Sequence, residues 1–376
     1  MTIQTAPKSA KAAVVRTAGG PFEIEDISVA VPRPGEVLVR VIATGMCHTD
    51  MVVRDQVYPV PLPIVLGHEG SGIIEATGAD VTSVKPGDHV VLSFLPCGQC
   101  QACMEGSPAS CENFNAWNFA GARVDGSHIC EDAHGVGLHD RFFGQSSFAT
   151  YAVADARNVV KVREDAPLEL LGPLGCGIQT GAGSVLNALK PGAGSSFASF
   201  GAGAVGLSAV MAARVAGCTT IIAVDVVPSR LELALTIGAT HVVNSREEDP
   251  VAAIRKITGG KGVEYTLDST GIPAVIRNAV AALRSRGTCG IVGASKPGAN
   301  LELDAVDMMQ NCKGIRGIVE GASVPAIFIP QLVDLYMQGR FPFDKLVKFY
   351  DFASINEAAH DSEKGVTIKP IIKIGA

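Results

Sequence analysis

What this sequence has little of narrows the field first. Of 376 residues only 18% are charged and 5% aromatic, tryptophan occurs once, and the formal net charge is −6. No basic excess is present, which excludes nucleic acid as a partner, because phosphate recognition draws on clustered Lys and Arg. Low charge combined with 47% hydrophobic residues also excludes a disordered chain. The opening MTIQTAPKSAKAAVV lacks the apolar core of a secretion signal, so a cytoplasmic location is expected. Two uncharged runs, 170–189 and 191–213, are long enough to cross a bilayer. Both are dense in Gly, Ser, Thr, Asn or Gln, so they read as buried loop-and-helix segments, and no membrane partner is expected. No repeat of fixed period and no low-complexity linker interrupts the chain.

What is present divides in two. The first third reads as short strands separated by turns: EVLVRVIAT at 36–44, GIIEATG, then Lys85-Pro86-Gly87-Asp88 ahead of HVVLSF. Beyond about residue 178, strands such as TTIIAVD alternate with helical runs of ten or so residues, the pattern of βαβ units and a parallel sheet. The tail ends in TIKPIIKI, a strand pattern that returns to the first part. The expected organisation is therefore one domain over 1–177 and 321–376, interrupted by a second over 178–320.

In the second domain, Gly201-Ala202-Gly203-Ala204-Val205-Gly206 fits G-x-G-x-x-G between a strand and a helix. The first glycine permits the tight turn, the second lets backbone approach a pyrophosphate, and the third lets helix and strand pack closely. Asp225 ends the next strand, where an acid bonds a ribose 2′-hydroxyl and repels a 2′-phosphate; NAD is favoured over NADP. The alternative for Asp225 is a helix cap. Arg230 either lies against the adenosine ribose or is a solvated helix residue.

Four of the ten cysteines, Cys97, Cys100, Cys103 and Cys111, fall within fifteen residues. A full set of four thiols suits tetrahedral zinc and leaves no open position, which makes that metal structural. Ferredoxin runs also begin C-x2-C-x2-C, but continue with x3 and Cys-Pro, unlike this one. Three further fragments carry candidate ligands of an open, catalytic metal site: Cys47 in GMCHTD, His68 in GHEG and Cys176 in GCG. Spacing cannot join residues so far apart. Taken singly, each Cys reads equally well as a small buried hydrophobe and the His as a turn residue.

GHEGSG, the four-cysteine lobe, GCGIQTGAG and GAGAVG, in that order, resemble the zinc-containing alcohol dehydrogenases of the medium-chain family over essentially the whole chain. The resemblance implies an α/β protein: a GroES-like β-rich catalytic domain plus a Rossmann doubly wound parallel-sheet coenzyme domain. It implies Zn2+ at two sites per chain, one catalytic on Cys47, His68 and Cys176 and one structural, with NAD as coenzyme. It also implies Glu69 as the carboxylate beside the ligands, Thr180 near the nicotinamide and Lys369 on the coenzyme pyrophosphate. Thr49 matches the family's Ser/Thr that accepts the alcohol proton. Two positions depart from much-studied relatives. Val52 replaces a histidine that ends the proton relay, so protons are expected to leave through the ribose hydroxyls and water, with His48 as a second exit. His48 also stands where many relatives place an arginine against the pyrophosphate, which makes it a coenzyme contact.

Within the family, LSFLPCGQC, RFFGQSSFATYAV and GRFPFDKLVKFY resemble the aryl-alcohol (benzyl-alcohol) dehydrogenases. A small-molecule aryl or allylic primary alcohol, converted to its aldehyde, is the expected substrate, with Phe94, Trp117 and Phe119 as candidate pocket residues. The stretch 117–143 resembles a loop kept in dimeric members, so a homodimer is expected, with a tetramer as the alternative. The rival activities are a glutathione-dependent formaldehyde dehydrogenase and a metal-free quinone-reductase-like or structural coenzyme-binding protein.

Overall fold

The computed structural model describes residues 6–375 and divides into two compact units. The first comprises Met1–Cys176, Val324–Met337 and Asp344–Ala376; the second comprises Gly177–Ser323 and Gln338–Phe343. The expected uninterrupted return over 321–376 is corrected here, since residues 321–323 and 338–343 pack with the second unit. Phe341 and Phe343 are both fully buried, with ring centroids 6.3 Å apart, and an apolar pair of this size stays with the core that covers it.

The first unit is built on two sheets. Strands β1 (Lys8–Val15), β2 (Phe22–Val29), β4 (Ile64–Val65), β7 (Cys130–Asp132) and β8 (Gly137–Leu138) run in the order β4-β1-β2-β7-β8. The larger sheet holds β3 (Glu36–Gly45), β5 (Glu69–Thr77), β6 (His89–Leu92), β9 (Tyr151–Asp155), β10 (Val159–Lys161), β17 (Val347–Asp351) and β18 (Lys369–Lys373). Its order is β10-β6-β5-β3-β18-β17, with β9 also pairing β3. β3 is the organising strand. Its Val-rich sequence EVLVRVIATG is buried on both faces, and it pairs antiparallel with β5, β9 and β18, so three distant parts of the chain meet on it. Fully buried Phe94, Phe142, Phe148, Met46, Met51 and Leu66 fill the adjoining core, each contributing roughly 2–3 kcal/mol on burial.

The second unit is one six-stranded parallel sheet: β11 (Ser196–Phe200), β12 (Thr220–Asp225), β13 (His241–Asn244), β14 (Val263–Asp268), β15 (Leu283–Ile291) and β16 (Gly314–Gly317). The order β13-β12-β11-β14-β15-β16 is the doubly wound arrangement, with its switch point between β11 and β14. Its strands are near-continuous apolar runs because helices cover both faces. Those helices start where the sequence says they should. Asp249 caps Pro250–Ile257 through Ala252 N at 2.8 Å, and Asp304 caps Ala305–Gln310. Among the described residues no helix is long and apolar enough to cross a membrane.

Candidate metal centre, cysteine lobe and coenzyme loop

Cys47, His68 and Cys176 come together in the first unit, with Glu69 beside them; one ligand atom from each lies within 4.8 Å of all the others. Each sits at the end of an element. Cys47 follows β3 and precedes the helix His48–Arg54, His68 precedes β5, and Cys176 follows the turn Gly172–Gly175. His68 is fully buried; its Nδ1 lies 2.9 Å from Asp50 Oδ1, and its Nε2 has no hydrogen-bond partner. A buried ring nitrogen without a partner is costly unless something occupies it, and a cation beside two thiols is the group that would. Asp50 also accepts from Gly67 N at 3.1 Å and, through Oδ2, from Cys47 N at 2.9 Å, so one carboxylate fixes two of the ligand-bearing segments.

The electrostatics suit a metal ligand set. Hydrogen bonding from Cys176 holds the Cys47 thiol well below its ordinary range, against the effect of burial, with His68 and Lys369 adding to it. Burial pushes the Glu69 carboxyl up, and Lys369 opposes that shift. The glycines around Glu69 are there because nothing larger fits: a Cβ at Gly45 would stand 2.1 Å from Glu69 Oε2, and one at Gly172 would stand 2.1 Å from Glu69 O. Gly67 has φ +91°, and its Cβ would meet Phe148 N at 2.4 Å.

Several expected positions change meaning. Lys369 was expected on a pyrophosphate; the residue is 2% exposed and its three donors go to Glu69 Oε1 and Oε2, both at 2.9 Å, and to Met46 O at 3.2 Å. The structure therefore gives it the post of countercharge to Glu69; burial acts to lower its pKa, but Glu69 together with the Cys47 and Cys176 thiols outweighs that, and the net direction is up. Thr49 is half-buried, its Oγ1 3.7 Å from Cys47 Sγ, while His48 is exposed and Val52 half-buried.

Among the aromatic candidates, Phe94 is a core residue, 1% exposed and 5.7 Å from Phe114. Trp117 is half-buried and packs on the Arg157 guanidinium at 4.8 Å, beside the cysteine lobe. Phe119 is half-buried, 5.1 Å from Phe143. The rings that do meet the ligand set were missed by sequence reasoning. Phe143 stacks on the His68 ring at 4.5 Å, and Phe142 meets it edge-on at 5.2 Å. Arg141, Phe143 and Ser146 all have left-handed φ (56°, 52° and 54°), at a cost of roughly 1 kcal/mol or more each. Buried Glu36 helps to hold this segment: it accepts two bonds at 2.8 Å from Arg123 and one at 2.9 Å from Arg141. Of the FFG run only Gly144 signals a turn, because a bulky residue such as Phe143 rarely takes left-handed backbone, so these rings leave little local trace.

The cysteine lobe gathers Cys97, Cys100, Cys103 and Cys111 with ligand atoms within 4.8 Å of one another. Amide donors already point at sulfur. Cys100 N lies 3.3 Å from Cys97 Sγ, Asn113 Nδ2 3.5 Å from the same atom, and Cys97 N 3.3 Å from Cys111 Sγ. Burial works against the Cys97 thiolate, but the Gln99 and Cys100 amides and Asn113 bring its pKa to about 6, whereas burial drives Cys103 to about 12. A divalent cation would resolve that conflict by letting all four ionise.

In the second unit the three loop glycines are separable by what a side chain would meet. Gly201 has φ +97°, and its Cβ would stand 2.5 Å from Ser269 Oγ; a Cβ at Gly206 would stand 1.8 Å from Gly201 O; a Cβ at Gly203 would meet nothing within 4 Å. Gly201 and Gly206 are thus fixed by the fold, and Gly203 leaves open space at the start of the helix Ala204–Val215, in which Val205 is half-buried. Asp225 ends β12, accepting from Ala202 N at 2.6 Å and from Val226 N and Val227 N. The cap of the following helix is Val227, so Asp225 braces the glycine loop instead of capping. Arg230 has a buried Nε without a hydrogen-bond partner. The open cradle, the carboxylate and this donor fit a dinucleotide. Thr180 is buried, and its hydroxyl donates to Glu320 Oε2 at 3.3 Å.

Comparison with known proteins bears on these sites. Residues 33–164 match the alcohol dehydrogenase GroES-like domain and residues 204–336 the zinc-binding dehydrogenase domain. A geraniol dehydrogenase of Castellaniella defragrans is 49% identical over 97% of each chain. The crystal structure of an alcohol dehydrogenase zinc-binding domain protein from Burkholderia ambifaria superposes with a TM-score of 0.97 at 60% identity, covering 98% of this chain and 100% of its own. That of a benzyl alcohol dehydrogenase from Acinetobacter calcoaceticus gives 0.95 at 56% identity, with the same coverage.

Proposed function

Because the chain belongs to the zinc-containing medium-chain alcohol dehydrogenases, close to the aryl-alcohol types, we propose that it oxidises an aryl or allylic primary alcohol reversibly to the aldehyde with NAD. The observation that carries the reading is the buried His68 Nε2, unpaired between two thiols and covered by the Phe143 ring. Cys47, His68 and Cys176 would hold the catalytic zinc, and the four-cysteine lobe a structural one. When bound, zinc supplies a Lewis acid for the substrate oxygen and NAD the acceptor of the hydride. Asp50 keeps the His68 ring in the tautomer that leaves Nε2 free. The Thr49 hydroxyl would take the alcohol proton, and because Val52 cannot carry it onward, the proton leaves through water or His48. Asp225 and Arg230 would bind the adenosine ribose, with Gly203 under the pyrophosphate.

The aromatic and allylic choice is supported by relatives named for geraniol and benzyl alcohol, and by phenylalanines on the ligand set, whose faces suit a flat conjugated substrate. Reduction of NAD and NADP with benzyl alcohol, geraniol, ethanol and S-hydroxymethylglutathione tests it. The expected order puts benzyl alcohol and geraniol with NAD well ahead, and a preference for the glutathione adduct would overturn the assignment. The 117–143 stretch favours a homodimer, which sedimentation would read directly.

A further inference from the structure

The run RFFGQSS contains a buried amide that the chemistry above leaves without a task. Gln145 is 2% exposed, and each of its polar atoms is engaged. Oε1 accepts from Gly70 N at 3.1 Å, and Nε2 donates to His68 O at 3.0 Å and to Ser93 O at 3.2 Å. One amide therefore grips the backbone on both sides of Glu69, donor to the residue before and acceptor from the residue after. The contact to Ser93 extends the grip, because Ser93 Oγ donates to Gly175 O at 2.7 Å, one residue before Cys176. Asn158 Nδ2 adds bonds to Ser93 O and Phe143 O at 3.1 and 3.2 Å, and the left-handed residues Arg141, Phe143 and Ser146 bend the chain so that the Phe143 ring and the Gln145 amide reach His68 from one short segment.

We propose that Gln145 is a positioning residue that sets the spacing of the His68 and Cys176 ligand atoms by tying their backbones together through Ser93. Asp50 performs the corresponding task for Cys47 and His68. With both ties in place, all three ligand-bearing segments belong to one hydrogen-bonded frame. A ligand set held at the metal's preferred spacing before binding loses less freedom on binding, so the metal leaves more slowly. The proposal rests on the assignment of a metal to Cys47, His68 and Cys176.

The test uses the metal-loaded enzyme and Gln145→Leu, which keeps an apolar bulk of similar size and removes all three bonds. Release of metal to a chromogenic chelator is followed, and the visible spectrum of the cobalt(II)-substituted open site is recorded. The expected result is about tenfold to a hundredfold faster release from the open site, a shifted cobalt spectrum, lower kcat with little change in KM, and unchanged release from the four-cysteine lobe. Wild-type release and a wild-type spectrum would overturn the proposal, even with lowered thermal stability, since a purely structural amide predicts that pattern. Should Gln145→Leu not fold, Ser93→Ala removes the hydroxyl link to Gly175; severalfold faster release is expected, and unchanged release would overturn the proposal equally. Metal analysis of the wild type is read first. A wild type without metal at the open site means that the assignment of the metal centre has failed, not the role of Gln145.

Discussion

The metal centre of the first unit and the glycine loop of the second reach a defined geometry by opposite means. At the centre, side chains steer the ligand segments: Asp50 holds His68 and the Cys47 backbone, Gln145 holds the His68 backbone, Ser93 holds the backbone before Cys176, and Lys369 neutralises Glu69. At the loop, Asp225 and the Ser199 hydroxyl hold the backbone, through Ala202 N and through Gly201 O and Gly206 O, but the shape depends on Cβ atoms being absent. The first kind of site fails when a group is removed, and the second when an atom is added. It follows that the same assay will read the two regions through different classes of substitution.

The strongest test of that contrast is His68→Ala, expected to lower metal content from two to one per chain and activity by roughly a thousandfold or more. Metal analysis with steady-state kinetics checks it, and retention of both metals would break the account of the centre. Next, Gly206→Ala forces a Cβ to within 1.8 Å of Gly201 O. It should cost the second unit about 3 kcal/mol in urea unfolding, and a loss below about 0.5 kcal/mol would refute steric control of the loop.

A comparable loss, reached by removing a group, is expected for Glu36→Gln in the first unit, where Arg123 and Arg141 would stay buried without their carboxylate; about 3 kcal/mol is expected at neutral pH. Burial acts to raise the pKa of Glu36, but the Arg123 bonds, the Arg33 amide and Arg141 outweigh it, and the net direction is down. The stabilisation is therefore fully present above the ordinary carboxylate value of ~4.3 and is lost as pH falls through the lower folded value. Wild type and variant should converge in acid, and parallel denaturation curves from pH 7 to 3 would contradict this.

The smallest effect sharpens the contrast most. Gly203→Ala adds a Cβ into open space, so the unfolding midpoint should not move, while KM for the coenzyme rises about tenfold. A lowered midpoint with unchanged KM would place Gly203 with Gly206.

How much of this was legible in the sequence depends on how far apart the cooperating residues lie. The cysteine lobe could be read from spacing alone because its four ligands are local. The glycine loop and Asp225 lie within one βαβ unit, so their joint meaning was also readable. Cys47 and His68 are brought together by pairing of β3 with β5, and Cys176 by the turn Gly172–Gly175 that Ser93 holds, so spacing could not connect them; resemblance did. Glu36 lies 87 and 105 residues from its arginine partners, and Gln145 lies 77 from His68, so neither pairing leaves a local trace. The stacking of Trp117 on Arg157 is likewise a pairing between distant positions that spacing does not reveal.

The ion pair between Lys369 and Glu69 spans 300 residues, and Lys369 opens β18, which pairs with the end of β3. During synthesis on the ribosome, Glu69 is made some 300 residues before its buried cationic partner Lys369. Until β18 docks, the carboxylate cannot be buried beside two thiols without an uncompensated charge. Maturation of the open metal site thereby waits until β18 has been made, and a nascent chain released a few residues short of Lys369 would carry the lobe and the coenzyme loop but no finished centre.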